Sequence, residues 1–261
     1  MDTLTIRQQQ IVDLLNEVEQ ISVNELSERF QVTPATIRRE LTLLAQKNVI
    51  IRKHGYACLN DKPNRDQSPF HIRLALHREE KTLIAQRALQ YLQPEDTSII
   101  LDSGTSTYAL AELLAQDKNR KHLSVITNCL PIASCCPGNY NMICGGSIDE
   151  DSLSLIGHEA EAYFDTIWAD KAFLGANGIF GLEGPSATSF FQMGIKKKMM
   201  ACANQTILLM DPYKFKSRGL SKLCSFHSIY AMITVRTDFN SEQIEHLRRA
   251  GIRVDCANEP M

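Results

Sequence analysis

Two clusters of residues in this 261-residue chain have the types and spacing to do chemistry. The first is Asp102-Ser103-Gly104-Thr105-Ser106-Thr107, which directly follows the apolar run Ser98 to Leu101. A Gly- and hydroxyl-rich turn that opens a helix offers free backbone N–H groups, hydroxyl donors and the positive end of the helix dipole. Together these suit a phosphate. The second cluster is basic: between Pro34 and Tyr56, Arg38, Arg39, Lys47, Arg52 and Lys53 stand against one acid, Glu40. From Gln8 to Glu28 the balance is reversed, with Asp13, Glu17, Glu19, Glu25 and Glu28 and no Lys or Arg. Although the formal net charge is -2, a local swing of this size gives the N-terminal segment one positive face, the footprint of a DNA reader.

Other chemistries lack their residues. No GxGxxG follows a strand-like run and GxxxxGK[ST] is absent, which removes a dinucleotide fingerprint and a P-loop. The cysteines at 58, 129, 135, 136, 144, 202, 224 and 256 form no CxxC pair, and the histidines form no HExxH. Zinc, a paired general base and any other cofactor are therefore not expected. Reduced thiols are the expectation for all the cysteines, including the vicinal Cys135-Cys136 that precedes Pro137-Gly138.

The basic cluster needs elements to present it. Ile6, Ile11, Leu14 and Leu15 predict a first amphipathic helix. Ser22-Val23-Asn24-Glu25 matches a capping box that opens a short second helix with Leu26 and Phe30 on its apolar side. After a tight turn at Gln31-Val32, Thr33 is placed as an N-cap with Pro34 at the first helical position. The third helix, Pro34 to about Gln46, buries Ile37, Leu41 and Leu44 and leaves Ala35, Thr36, Arg38 and Arg39 exposed near its start. This is a winged helix-turn-helix, whose recognition helix offers its N-terminal residues to base edges in the major groove. Arginine there can pair bidentately with guanine, and Thr36 can meet a thymine methyl or a phosphate. Val49 to Tyr56 reads as two short strands around a turn, a wing that sets Arg52, Lys53 and His54 near the backbone or minor groove.

From Asn60 to Pro69 no residue except proline is apolar, so the stretch reads as a linker. The expected domains are a DNA-binding unit over 1–58, a linker over 59–75 and a sensor over 76–258. Hydrophobic residues at 44% and charged residues at 22% are globular proportions. No run of 18 apolar residues can cross a membrane, and the N-terminus lacks the marks of a secretory signal, so a cytoplasmic protein is expected.

Beyond the linker, short Ile-, Leu- and Val-rich runs at 98–101, 123–127, 141–144, 171–174, 206–210 and 230–235 alternate with helical periods at 77–92, 106–116, 188–203 and 241–250. The fold class is α/β, with a mainly parallel sheet covered on both faces. Several runs end in small polar residues: Thr127-Asn128, Gly145-Gly146-Ser147, and Gly175-Ala176-Asn177-Gly178. Ligands of open parallel sheets bind outside the carboxyl ends of the strands, and these ends suit a phosphorylated polyol. Gly104 is expected to allow close backbone approach, in a turn with positive φ.

The run Val32-Thr33-Pro34-Ala35-Thr36-Ile37-Arg38-Arg39-Glu40-Leu41, followed by Ile51-Arg52-Lys53-His54-Gly55, resembles the signature of the DeoR family of bacterial sugar-responsive transcription regulators. Pro69 to Arg73 and Lys81 are similar to its fucose-operon branch. The resemblance continues through Asp102 to Thr107, Thr127-Asn128, Gly145-Gly146, Gly157, Ala169-Asp170, Gly175 to Gly178, and Asp211 with Lys214-Phe215. It implies a sensor with the ribose-5-phosphate isomerase fold that binds a sugar phosphate. Asp102, Gly104, Thr105, Ser106 and Thr107 would then cradle the phosphate end, with Asn128, Gly146, Asn177, Lys196 and Lys214 around the sugar. The chain departs from the family in three places: Gly55-Tyr56 replaces the wing glycine pair, Glu40 replaces an Asp, and Gln192 stands where many relatives carry an acid.

The resulting expectation is a DNA-binding repressor of a sugar-utilisation operon, controlled by a phosphorylated sugar. Two-fold operators imply a homo-oligomer, dimer or tetramer. The DNA-facing residues would be Ser22, Thr33, Pro34, Ala35, Thr36, Arg38, Arg39, Arg52, Lys53 and His54. The alternative is a sugar-phosphate isomerase or hydrolase carrying a DNA-binding module. Asp102 is its only obvious base, and Gln192 supplies no second acid.

Overall fold

The computed structural model describes residues 5–18, 20–47, 49–53, 55–59, 69–135 and 140–260. His54, most of the expected linker (60–68), and Cys136 with Pro137-Gly138 lie outside the described residues. The chain forms two compact units, Met1–Arg78 and Glu79–Met261.

In the first unit, α1 (Ile6–Glu17) is followed by β1 (Ile21–Ser22), α2 (Val23–Phe30) and α3 (Pro34–Gln46), then by β2 (Ile50–Lys53), β3 (Tyr56–Leu59) and α4 (Phe70–Ala75). The strands form an antiparallel sheet in the order β1-β3-β2. Local chemistry explains each helix start. The Thr5 hydroxyl caps α1, Ser22 and Glu25 close a reciprocal capping box on α2, and Thr33 caps α3 ahead of Pro34. The turn between α2 and α3 is tight because Gln31 adopts φ 51° and Val32 accepts a hydrogen bond from the Ser27 hydroxyl at 2.5 Å. Ile11, Leu26, Ile37, Leu41 and Leu44 are fully buried, and these side chains orient α3.

One expectation is corrected here. Residues 70–75, placed in the linker, form α4, and Ile72, Ala75 and Leu76 join the winged-domain core. The Gln9 side chain also donates to the Ala75 carbonyl at 3.2 Å. Phe70, Ile72 and Ala75, three of its six positions, are buried, and that is too much apolar surface to leave in solvent. They lay behind a polar, Pro-containing stretch that masked their helical spacing.

The second unit begins with α5 (Arg78–Leu89), β4 (Ser98–Leu101), α6 (Thr105–Gln116), β5 (Ser124–Thr127), α7 (Leu130–Cys135) and β6 (Tyr140–Ile143). A hairpin of β7 (Ser147–Asp149) and β8 (Ser154–Ile156) precedes α8 (His158–Phe164) and β9 (Ala169–Gly175). Then come β10 (Gly178–Ile179), β11 (Pro185–Ala187), α9 (Phe190–Ala201), β12 (Ala203–Leu209), β13 (Ser221–Lys222), β14 (Ala231–Thr234), α10 (Ser241–Arg249) and β15 (Val254–Cys256). Seven strands make one sheet in the order β15-β14-β12-β9-β4-β5-β6, with every pairing parallel. The strand at 254–256 is too short and too polar to have been read from its sequence.

The order sets the position of the site. From β4 the chain winds one way through β5 and β6, and from β9 it winds the other way through β12, β14 and β15. Right-handed crossovers then put helices on opposite faces of the two halves. The winding reverses between β4 and β9, and ligands of open parallel sheets bind at such a reversal, outside the carboxyl ends of the strands.

Candidate DNA interface and effector site

On α3 the buried trio Ile37, Leu41 and Leu44 directs Thr33, Pro34, Ala35, Arg38 and Arg39 outward; all five are exposed and Thr36 is half-buried. The Thr33 hydroxyl accepts from the Thr36 amide at 3.2 Å and lies 3.0 Å from the Thr36 hydroxyl, so both threonines are committed at the helix start. Among the described residues no carboxylate pairs with Arg38 or Arg39. Glu40 turns the other way and accepts from Gln8 at 2.8 Å, tying α3 to α1. Ser22 accepts from the Glu25 amide at 3.1 Å, and the Glu25 carboxylate takes the Ser22 amide at 2.8 Å. Hydrogen bonding to Ser22 holds the Glu25 carboxyl below the usual range.

In the wing, Lys53 pairs with Tyr56 across the β2–β3 turn. Arg52 donates to the Thr42 hydroxyl at 2.6 Å, and Thr42 donates to the Arg38 carbonyl at 2.7 Å. Thr42 had no place in the sequence reading. Its signal was the i+4 spacing from Arg38, which allows a hydroxyl to reach back one helical turn.

In the second unit, Asp102 follows β4 and is 1% exposed. Its carboxylate accepts from the Gly175 amide at 3.0 Å and from the Lys196 ammonium, which also donates to the Gly175 carbonyl at 3.0 Å. Lys196 comes from α9 and is itself buried. Lys197 is exposed and Lys198 pairs with Asp165 at 2.7 Å, so only one lysine of the triplet enters the site. The Thr107 hydroxyl ties the turn together: it donates to the Asp102 and Gly104 carbonyls at 2.6 and 2.7 Å and accepts from the Gly104 amide at 3.0 Å.

Gly104 is the N-cap of α6 and has no side chain to cap it, so the first amides of the helix, at Thr105, Ser106 and Thr107, have no intrahelical acceptor. All three residues are buried. The expected positive φ at Gly104 is not observed; φ is -95°, the extended backbone usual at an N-cap. Glycine is needed for space instead. A Cβ there would lie 3.2 Å from the Thr107 hydroxyl and 3.8 Å from the Gly175 Cα.

Most of the other named residues lie beyond the carboxyl ends of strands in the same sheet. Asn128 follows β5, one register step beyond the Leu101–Thr127 pair, and donates to the Leu155 carbonyl at 3.1 Å. Its side-chain oxygen is buried with no hydrogen-bond partner. Gly146 has φ 125°, and a Cβ would come within 2.6 Å of the Ile156 carbonyl, so its evident task is to close the β7–β8 hairpin. The Asn177 side chain accepts from the Thr188 amide at 3.3 Å and bridges the loop after β9 to the segment after β11. Lys214 lies in a 3₁₀ turn beyond β12. Gln192 donates to Asp149 at 3.3 Å, which links α9 to the hairpin. Burial pushes the thiols of Cys144, Cys202 and Cys224 up to about 11. Among the described residues no group of His, Cys, Asp or Glu could hold a metal, and no helix is long and apolar enough to cross a membrane.

The chain is similar to known proteins over both units. Residues 7–63 match the model of the DeoR-like helix-turn-helix domain, and residues 76–236 match that of the DeoR C terminal sensor domain. The chain is 34% identical over 231 residues to the HTH-type transcriptional regulator YulB of Bacillus subtilis (strain 168), covering 87% of each. It is 28% identical to the glycerol-3-phosphate regulon repressor of Escherichia coli (strain K12), over 88% of this chain and 90% of that protein. Among solved structures, a D-ribose-5-phosphate isomerase in complex with phospho-erythronic acid is similar over 52% of this chain and 53% of its own, with 19% identity and a TM-score of 0.38.

Proposed function

Because this chain belongs to the DeoR family of helix-turn-helix transcription regulators, we propose that it is a cytoplasmic repressor whose operator affinity is set by a phosphorylated sugar bound at the β4–β9 crevice. One observation carries the effector assignment. Where the sheet reverses its winding, α6 starts beyond β4 with three buried residues whose amides lack intrahelical acceptors, and the buried Lys196 ammonium is held by Asp102, the residue that opens the same turn. Amides and a cation aimed into one crevice attract a dianion, and the low dielectric strengthens that attraction. The direct phosphate ligands in this reading are the amides and hydroxyls of Thr105 and Ser106. Asp102 acts at one remove, because a carboxylate repels phosphate and this one orients Lys196. Asn128 offers its unpartnered oxygen to a sugar hydroxyl.

An isomerase or hydrolase needs a free carboxylate base. Asp102 is engaged by Lys196 and Gly175, and Gln192 provides no second acid. The relative named above is a glycerol-3-phosphate regulon repressor, which supports the repressor reading.

The test is a thermal-shift screen with pentose and hexose phosphates beside the same sugars unphosphorylated. A phosphorylated ligand should raise the melting temperature and release the protein from DNA taken from upstream of its own coding sequence. A stabilisation of about 2.7 kcal/mol is expected at a hundredfold excess over Kd. Equal responses to phosphorylated and free sugars would refute the phosphate site, and turnover of any phosphate would restore the enzyme reading.

A further inference from the structure

Tyr56 has no part in the function proposed above, yet it is 46% exposed at the first position of β3. Two restraints fix it in place. The turn before it passes through Gly55 at φ 82°, and the Gly55 carbonyl accepts from the Val23 amide at 3.1 Å, which pins the wing turn to the start of α2. On the neighbouring strand, Arg52 binds Thr42 at 2.6 Å and so joins the wing to α3. Tyr56 is thereby held by both helices of the helix-turn-helix.

The strand register supplies its neighbours. Tyr56 stands opposite Ser22 on β1 and opposite Lys53 on β2, so the three share one cross-strand row. Ala57, the next residue along β3, is fully buried, and the alternation of a strand turns Tyr56 away from the core. The Ser22 hydroxyl already accepts from the Glu25 amide, which leaves its hydrogen free to donate. Glu25 is the acid in this neighbourhood, and its carboxylate is committed to the Ser22 amide. A serine hydroxyl beside a phenol is a donor pair of the kind that meets phosphate and sugar in DNA complexes.

We propose that Tyr56 is a DNA-backbone contact, its phenol hydroxyl donating to a phosphate oxygen beside the one met by Ser22 and its ring lying along the adjoining deoxyribose. The proposal rests on DNA binding by the N-terminal unit and is independent of the effector site. Two consequences separate it from other roles. A backbone contact carries no sequence information, so affinity for every duplex falls by the same factor when it is lost. The phenol is neutral and displaces no counterion, so the slope of log affinity against log salt stays unchanged.

The experiment measures binding of the full chain to two duplexes over a range of salt. One is the DNA upstream of its own coding sequence and the other a random sequence of equal length. Tyr56→Phe should bind both about ten- to a hundredfold more weakly, the worth of one hydrogen bond to a charged phosphate, on salt plots parallel to wild type. Tyr56→Ala, which also loses the ring, should fall further on both duplexes. Matching melting temperatures for wild type and Tyr56→Phe show that the wing is intact. Wild-type affinity in Tyr56→Phe overturns the proposal. So does a loss confined to one duplex, which would make Tyr56 a base reader, or a changed salt slope, which would make it a prop for a charged neighbour. Failure of wild type to bind either duplex would instead refute the DNA-binding premise.

Discussion

Arg38 and Arg39 are exposed cations on the first turns of α3, whereas Arg52 already spends one guanidinium nitrogen on Thr42. This difference separates a base reader from a backbone contact. Arg38→Ala should cost roughly 1–3 kcal/mol of specific operator binding if it pairs with guanine, with little change on random DNA. Arg52→Ala should weaken both duplexes alike and flatten the salt slope by about 0.9 for one lost phosphate contact. Mobility shifts at two salt concentrations distinguish the two, and wild-type affinity in an Arg38/Arg39 double mutant would remove α3 from the major groove. These arginines were legible because cap, proline and apolar spacing lie within one helix. The clip from Arg52 to Thr42 was not, since it joins a strand to a helix.

Helix α6 shows how an element rather than a residue makes a site. Its start must be uncapped to leave amides for a ligand, and a glycine N-cap achieves that. Gly104→Val should push against the Thr107 hydroxyl and disturb its three hydrogen bonds to the turn, costing the second unit about 1–2 kcal/mol. The variant should still bind DNA, because no residue of the winged domain is changed, but its operator affinity should no longer respond to a sugar phosphate. Thr105→Ala should keep the response with an effector affinity weakened by roughly 0.5–1.5 kcal/mol, and by more where its hydroxyl meets the charged phosphate. Operator titrations with and without effector measure both, and a wild-type response in folded Gly104→Val would place the phosphate elsewhere. The turn was visible as a Gly- and hydroxyl-rich run after a strand. The reason for its glycine was not, because the crowding comes from the Thr107 hydroxyl folding back onto the turn.

At the scale of the whole molecule, one winged domain covers one half-site, and operators with two-fold symmetry require a second copy. The chain should therefore be at least a dimer at micromolar concentration without DNA, and light scattering that returned a mass near 29.4 kDa would contradict this. Within one copy, the amino-acid sequence by itself determined what depends on neighbours a few positions apart. Capping boxes, the 3.6-residue period of α3, the period of buried strands and the polar stretch before Pro69 all act over one or two turns, so they can be read in order along the chain. Tertiary structure alone decided which strand ends meet. Asp102 and Lys196 are 94 positions apart and come together because β9 lies beside β4 and α9 packs against β9 and β12. It also drew Ile72 and Ala75 into the winged-domain core, and set Tyr56 beside Ser22 across 34 positions. Hydrophobic burial and strand register are collective properties of the folded chain, and no local run of residues specifies them.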